Sequence, residues 1–394
     1  MSGGTRRPAA RDEGLVQAFG IDVPTRVRFG HGSRRAVGTV AAAYGQRTVL
    51  VTGASFAANP AAADVLTALG EAGVTIAEHV TVQGEPDDPG VLALVRRLEA
   101  VAPDSITAVG GGSPLDLAKA AALRPSPERL AALLAGERTE MPGIPVIALP
   151  TTAGSGAEVS HAAIILDRGA GRKRGVRGRG VAAREALVDP ELMVGAPPRV
   201  AAAAGFDAIA HAVETSASRA ASPFVLALGG AALPRLFDAV PRLVGNPAGA
   251  DPWSDAAYAA MLMGINLANS TTCLPHRLQY PVGAATGTAH ALGVAALFPA
   301  WLERTVAIAP ASLARLARAA GLVADGDADA AAAAMLAEMI AAHLDATGMR
   351  LRLSDLGVRA ADLDDLVSAV EGSVANDPGP STTADLRDLY AASL

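Results

Sequence analysis

The sequence predicts a Rossmann-like α/β N-terminal domain with a parallel sheet, followed by an all-α C-terminal domain. Three observations predict it. Up to residue 190, short apolar runs alternate with stretches of helical spacing. Beyond it strand signals fade, and long Ala/Leu-rich helical stretches run to the end. The length, 394 residues, exceeds what one ordinary core organises, so two domains are expected, 15–190 and 191–394.

The elements follow in order. Residues 47–52 read as a buried strand ending at Gly53, and 61–72 as a helix. A second strand is expected at 74–82 and a helix at 89–100, with Val91, Leu92, Leu94, Val95 and Leu98 on its apolar positions. Residues 105–109 form the third strand, followed by a glycine turn and a helix from Pro114. The fourth strand is 144–149. In the second half, helices are expected at 201–216, 255–269, 293–309 (kinked or broken at Pro299), 330–346 and 361–370.

Composition narrows the class. The chain is 51% hydrophobic but only 3% aromatic, so Ala, Val and Leu must fill the core. A formal charge of −6 argues against a nucleic-acid binder. The basic cluster Arg172, Lys173, Arg174, Arg177 and Arg179 reads as a solvated loop. The single cysteine, Cys273, permits no internal disulfide, which fits a reducing compartment. Residues 1–14 are Gly-, Arg- and Pro-rich without an apolar segment, and read as a disordered leader rather than a secretory signal. No run of about 18 apolar residues free of charge or breakers occurs, so no membrane span is expected. A cytoplasmic protein is the expectation.

Two constellations carry chemistry. The first is Gly110, Gly111, Gly112, Ser113, Pro114 and Asp116 after a strand. Ser113 fits as N-cap, Pro114 as first helical residue and Asp116 as partner in a capping box. Free N–H groups at such a helix start bind anions, and glycines let a pyrophosphate approach. A single glycine turn would serve as a tight turn alone; three glycines with a capped helix point towards phosphate. The pattern is not G-x-G-x-x-G. A second loop, with Thr151, Thr152 and Ser155, follows the fourth strand where a ligand would cross the sheet edge.

The second constellation is Asp207 and His211, four apart and so on one helix face, followed by His276 and His290. Asp207 and His211 alone could be a capping Asp and a core His. One carboxylate with three imidazoles is a sound donor set for Zn²⁺ or Fe²⁺. His31, His79, His161 and His343 read as surface or core histidines.

Taken together, these motifs resemble the iron-containing (group III) alcohol dehydrogenase family. That family carries the glycine motif of 110–116, the Pro-Thr-Thr loop of 150–158, the Asp-x-x-x-His of 207–211 and two further histidines, here 276 and 290. The match runs from about Pro24 to Pro299 and thins beyond. The resemblance implies a dehydroquinate-synthase-like nucleotide domain. It also implies metal binding by Asp207, His211, His276 and His290. NADH or NADPH would be lined by Gly110–Ser113, Asp116, Thr151, Thr152, Ser155 and Lys173. The metal would polarise the substrate oxygen while a hydride moves between substrate carbon and nicotinamide.

Three positions depart from the family's simple alcohol dehydrogenases. Tyr280 stands where many members have a proton-relay histidine, and a phenol with an ordinary pKa of about 10 is a poorer shuttle. Tyr280 could equally only pack the pocket. The hydroxyacid–oxoacid transhydrogenase branch is similar here. Gly53 stands where many NAD-preferring members carry an Asp, which removes repulsion of a 2′-phosphate and so permits NADPH. Arg277, adjacent to His276, resembles a basic residue of the maleylacetate reductase branch and could hold an anionic group, or could be a surface arginine. The sequence thus points to an oxidoreductase of a small, anionic or neutral, aldehyde, oxo acid or alcohol, acting as a homodimer. A transhydrogenase, a dehydroquinate-synthase-like lyase and a catalytically degenerate scaffold are the alternatives.

Overall fold

The computed structural model describes residues 18–394; the expected leader, 1–14, lies outside them. In chain order the strands are β1 (Arg26–Phe29), β2 (Arg47–Gly53), β3 (Thr75–Val82), β4 (Ser105–Gly110), β5 (Val146–Pro150), β6 (Ala162–Asp167), β7 (Arg172–Arg177) and β8 (Glu185–Val188). Six of them form one parallel sheet in the order β1-β8-β5-β4-β2-β3. β4 and β5 lie mid-sheet and are buried at every residue, which explains why neither carries a charged side chain. The first-half helices are α1 (Val37–Ala42), α2 (Ala62–Glu71), α3 (Asp88–Val101), α4 (Gly112–Ala122) and α5 (Pro127–Leu134). One sheet face packs on α3, α4 and α5, the other on α1 and α2. Asp87 caps α3 by accepting from the Gly90 N–H at 2.8 Å.

The second half holds α6 (Pro198–Ala217), α7 (Pro223–Gly245), α8 (Ala250–Asn269), α9 (Leu274–Thr286), α10 (His290–Ile308), α11 (Pro310–Ala319), α12 (Asp329–Ala346), α13 (Leu363–Ser368) and α14 (Thr383–Ala392). They share one core that also takes in Ala186 and Val188 of the sheet. α7 and α10 are long and apolar enough to cross a membrane, but about half of each is buried inside the fold.

Several expectations are corrected. The basic cluster is not a loop: Arg172–Arg177 is strand β7, paired antiparallel with β6 from Ala162↔Arg177 to Asp167↔Arg172. Lys173 and Val176 are buried. α10 is neither broken nor ended at Pro299; Phe298, Trp301 and Leu302 are buried around it, and core packing holds the helix through the missing N–H. In place of a helix over 361–370 there is a 3₁₀ turn, Ala360–Asp362, and the short α13. The edge strand β1 and its neighbour β8 were not read as strands, being only four residues each.

Candidate active site

The glycine turn joins β4 to α4. The helix begins earlier than expected: Gly111, in extended conformation, is the N-cap, and no side chain caps it. Ser113 and Pro114 are therefore the second and third helical residues, not cap and first residue. The reason is steric. A Cβ on Gly110 (φ +156) would sit 2.3 Å from Pro114 Cγ, so this close turn needs glycine. The uncapped start leaves first-turn N–H groups free for an anion. Cβ atoms on Gly111 and Gly112 would meet Thr152 Oγ1 at 3.2 Å and Ser155 Oγ at 3.3 Å, so the second loop packs directly on the turn. The Thr151 N–H donates to the Gly110 carbonyl at 3.0 Å.

Asp116 does not close a capping box. It is buried, and its Oδ2 accepts from the Ile164 N–H of β6 at 3.0 Å. Its Oδ1 lies 3.5 Å from Lys119 Nζ. Lys119, only 1% exposed, also donates to the Ala157 carbonyl (2.7 Å), Ser160 Oγ (3.2 Å) and the Ala162 carbonyl. This buried ammonium ties α4, the second loop and the hairpin together. Burial pushes Glu158, beside it, up to about 7.

The second loop also docks on the helical half. Gly156 (φ +59) meets α8 backbone to backbone: its Cβ would lie 2.4 Å from Gly264 Cα.

Asp207 and His211 project from α6, His276 from α9, and His290 begins α10. Their donor atoms converge. Asp207 Oδ1 lies 3.8 Å from His211 Nε2, 3.5 Å from His276 Nε2 and 3.6 Å from His290 Nε2. His211 and His276 Nε2 are 2.9 Å apart. Asp207, His276 and His290 by themselves meet the spacing of a metal-binding group. Asp207 Oδ1 is buried and, among the described residues, has no hydrogen-bond partner. An orphaned carboxylate oxygen facing three imidazole nitrogens fits a divalent cation.

Burial and neighbouring charge shift every titrating group of the cluster. Burial would raise the Asp207 pKa, but the surrounding imidazoles hold it below the usual carboxylate range. Burial would lower that of His276, yet Glu214 and Asp207 outweigh it and raise it to about 10. Desolvation pushes His211 and His290 down, which keeps their nitrogen lone pairs free.

Two orienting residues escaped the sequence reading. Glu214, 0% exposed, faces His276 Nδ1 through Oε1 at 2.6 Å and accepts from the Cys273 N–H through Oε2 at 2.7 Å. Gln279 Oε1 lies 2.6 Å from His290 Nδ1. Both fix a ring so that Nε2 faces Asp207. The spacing could have shown them: Glu214 is seven after Asp207 and Gln279 three after His276, each on the face of a helix that already carries a donor, though each orients a histidine of the next donor helix.

A cavity of about 710 Å³ lies between the two halves. Asp207, His211, His276 and His290 line it, as do Gly112, Ser113, Asp116, Thr152, Ser155 and Lys173. Gly53, Gly110, Gly111 and Thr151 stand behind this wall at the strand ends. A Cβ on Gly53 would meet nothing closer than 3.9 Å. Lys173 Nζ pairs with Glu85 at 2.5 Å. The Tyr280 ring stacks on His290, 6.0 Å between centroids. Arg277, also on the wall, donates to Thr271 Oγ1 at 3.0 Å. Cys273 is buried; its thiol donates to the Glu214 carbonyl at 3.3 Å, and burial pushes its pKa up.

The cleft sets a nucleotide-type turn against a cluster of candidate metal donors, and comparison with known proteins makes the chain an oxidoreductase. The chain belongs to the iron-containing alcohol dehydrogenase family. Residues 24–190 match the family description "Iron-containing alcohol dehydrogenase", and 201–394 match "Fe-containing alcohol dehydrogenase family, C-terminal". The probable alcohol dehydrogenase EutG of Salmonella typhimurium is 30% identical over 376 residues, 94% of each chain. Lactaldehyde reductase of Escherichia coli is 30% identical over 293 residues, 73% of this chain and 76% of that one. The structure of alcohol dehydrogenase from Oenococcus oeni superposes with a TM-score of 0.89 at 25% identity, covering 96% of this chain and all of that one. Membership implies a nicotinamide cofactor with iron or another divalent metal, and places the chain among oxidoreductases rather than lyases.

Proposed function

We propose that this protein transfers a hydride between NADPH or NADH and a small aldehyde or oxo acid, giving the alcohol, or runs the reverse reaction, with Fe²⁺ or Zn²⁺ bound. The observation that carries this reading is the convergence of four donor atoms, one of them an orphaned carboxylate oxygen, on the cavity that the glycine turn borders. A divalent metal there supplies Lewis-acid polarisation of the substrate oxygen. The remaining work falls to the chain. Asp207, His211, His276 and His290 hold the ion, while Glu214 and Gln279 keep the rings of His276 and His290 turned towards it. The free N–H groups of α4 take the pyrophosphate. The open space at Gly53 leaves room for a 2′-phosphate, which supports NADPH as an acceptable donor.

Tyr280, against His290 at the cavity wall, is the chain's own hydroxyl at the place of proton delivery. The same phenol supports a second reading, hydride exchange between a hydroxy acid and an oxo acid on a retained nucleotide. A cytoplasmic homodimer acting on a small molecule completes the proposal. The test follows NADPH and NADH absorbance with neutral and anionic aldehydes and oxo acids, after loading with Fe²⁺ or Zn²⁺. Turnover that appears with metal and vanishes on chelation is expected. Turnover that chelation leaves unchanged would overturn the metal-dependent reading, and turnover only with a second oxo acid would select the transhydrogenase.

A further inference from the structure

The basic strand β7 is paired almost throughout. Arg172 and Arg174 bind Glu371, Arg174 also binds Asp167, and Lys173 binds Glu85. Arg177, the last residue of the strand, is the exception. Among the described residues no carboxylate lies within 4.0 Å of it, nor of Arg277. Arg277 and Tyr280 share its cavity walls, and Arg138 pairs with it in a parallel bridge. Arg277 has only neutral partners, Thr271 Oγ1 and the Ser373 carbonyl. Loss of water lowers the pKa of Arg177, and the two neighbouring guanidiniums lower it further. Like charges gathered without a counter-ion are costly in a desolvated wall unless an anion joins them.

Their position says where that anion sits. Lys173, Arg177, Arg277 and Tyr280 line the metal-side cavity and also a second one of about 960 Å³ that opens beside α9 and α13. The Tyr280 ring, on the same cavity wall as Arg177, stacks on His290. His276, Arg277 and Tyr280 occupy adjoining positions of α9. The cationic wall is therefore one ring away from the donor cluster. The pyrophosphate place, at the start of α4, belongs to a different element.

We infer that Arg177, with Arg277, binds the anionic group of a small substrate whose carbonyl or hydroxyl carbon faces the Asp207–histidine cluster, so that the enzyme selects carboxylate-, sulfonate- or phosphonate-bearing aldehydes over neutral ones. This rests on the hydride-transfer reading above and names its substrate class. Arg177 acts as a specificity determinant: its bidentate fork fits the oxygens of such groups.

The test compares kcat and KM of the metal-loaded protein for two pairs of equal carbon count, glycolaldehyde with sulfoacetaldehyde and butanal with succinic semialdehyde. Wild type should favour each anionic member in kcat/KM. Arg177→Met should raise KM for the anionic members by about 30-fold or more and move the neutral ones less than about threefold. Arg177→Lys should recover part of the loss. Independently of turnover, methylphosphonate should raise the unfolding temperature of wild type and not that of Arg177→Met. Equal losses for neutral and anionic members would make Arg177 structural and overturn the inference, as would a rise in the nucleotide KM alone, which would assign the anion to the cofactor. Wild-type preference for the neutral members also overturns it. Absence of turnover with every substrate, nucleotide and metal would instead defeat the hydride-transfer reading, and the methylphosphonate shift would still decide whether Arg177 holds an anion.

Discussion

Glu214→Gln should separate metal binding from folding. Glu214 is fully buried and bridges two donors, His276 Nδ1 at 2.6 Å and the Cys273 N–H at 2.7 Å. A glutamine has one acceptor oxygen for these two places. If that oxygen faces His276, its NH₂ meets the Cys273 N–H, and a buried donor is left unpaired at about 1–3 kcal/mol. If the oxygen faces Cys273, the NH₂ meets Nδ1, the imidazole proton moves to Nε2, and the lone pair that should face the metal is lost. Either way the carboxylate that makes His276 a strong donor is gone. Loss of such an orienting partner weakens metal affinity by about 10- to 100-fold, or about 1.4–2.7 kcal/mol. Competition titration with a chromophoric chelator measures this, and thermal unfolding of the metal-free protein checks the fold. A variant that holds Fe²⁺ or Zn²⁺ as tightly as wild type would refute the reasoning. So would one that loses metal only because it has unfolded.

Other expectations follow from the same geometry. His343, buried against Phe237 with Nε2 unpaired, has its pKa pushed down to about 4 by burial. The unfolded chain therefore binds the extra proton first, and stability should fall as pH drops from about 6.5 to about 4, by up to about 3 kcal/mol. His343→Leu should flatten that part of a urea-midpoint profile, and an unchanged slope would show that other groups cause it. Lys119→Met leaves Asp116 and two carbonyls without their cation, so stability should drop by about 3–5 kcal/mol in denaturant titration; a change under about 0.5 kcal/mol would mean water replaces the ammonium. Gly53→Asp fills open space with a negative charge, and should weaken NADPH about tenfold or more relative to NADH in nucleotide titrations. Equal effects on both nucleotides would place the 2′-phosphate elsewhere.

The buried centre of the fold was readable because its signals are local. The runs that became β2, β4 and β5 carry Val, Ile, Leu and Ala with no charge beyond Arg47, as strands covered on both faces must. The convergence of Asp207, His211, His276 and His290 was likewise legible, because His, Asp and helical spacing mark potential donors whatever packs around them. What stayed hidden depends on partners far along the chain. Arg26 and Glu185 read as ordinary charges until β1 and β8 pair them, 2.7 Å apart. The basic run 172–177 looked solvated because its acids, Glu85 and Glu371, come from distant segments. Asp116 had a plausible local partner in Ser113, but the helix starts at Gly112 and Asp116 turns to β6 and Lys119 instead.

The seam between Gly156 and Gly264 sets a limit on how this enzyme can change. Two main chains in direct contact leave no side chain to rotate or be exchanged, so the seam acts as a fixed stop between the nucleotide turn and the donor cluster. A methyl on either side must push the halves apart. With Gly264→Ala, nucleotide and metal should each still bind, measured singly, yet kcat should fall about 100-fold because the reacting carbons no longer meet. A kcat within about threefold of wild type would show that the seam yields. The cleft's outer wall is different: Arg177, Arg277 and Tyr280 present exchangeable side chains there, so substitutions at that wall leave the seam between the halves as it is.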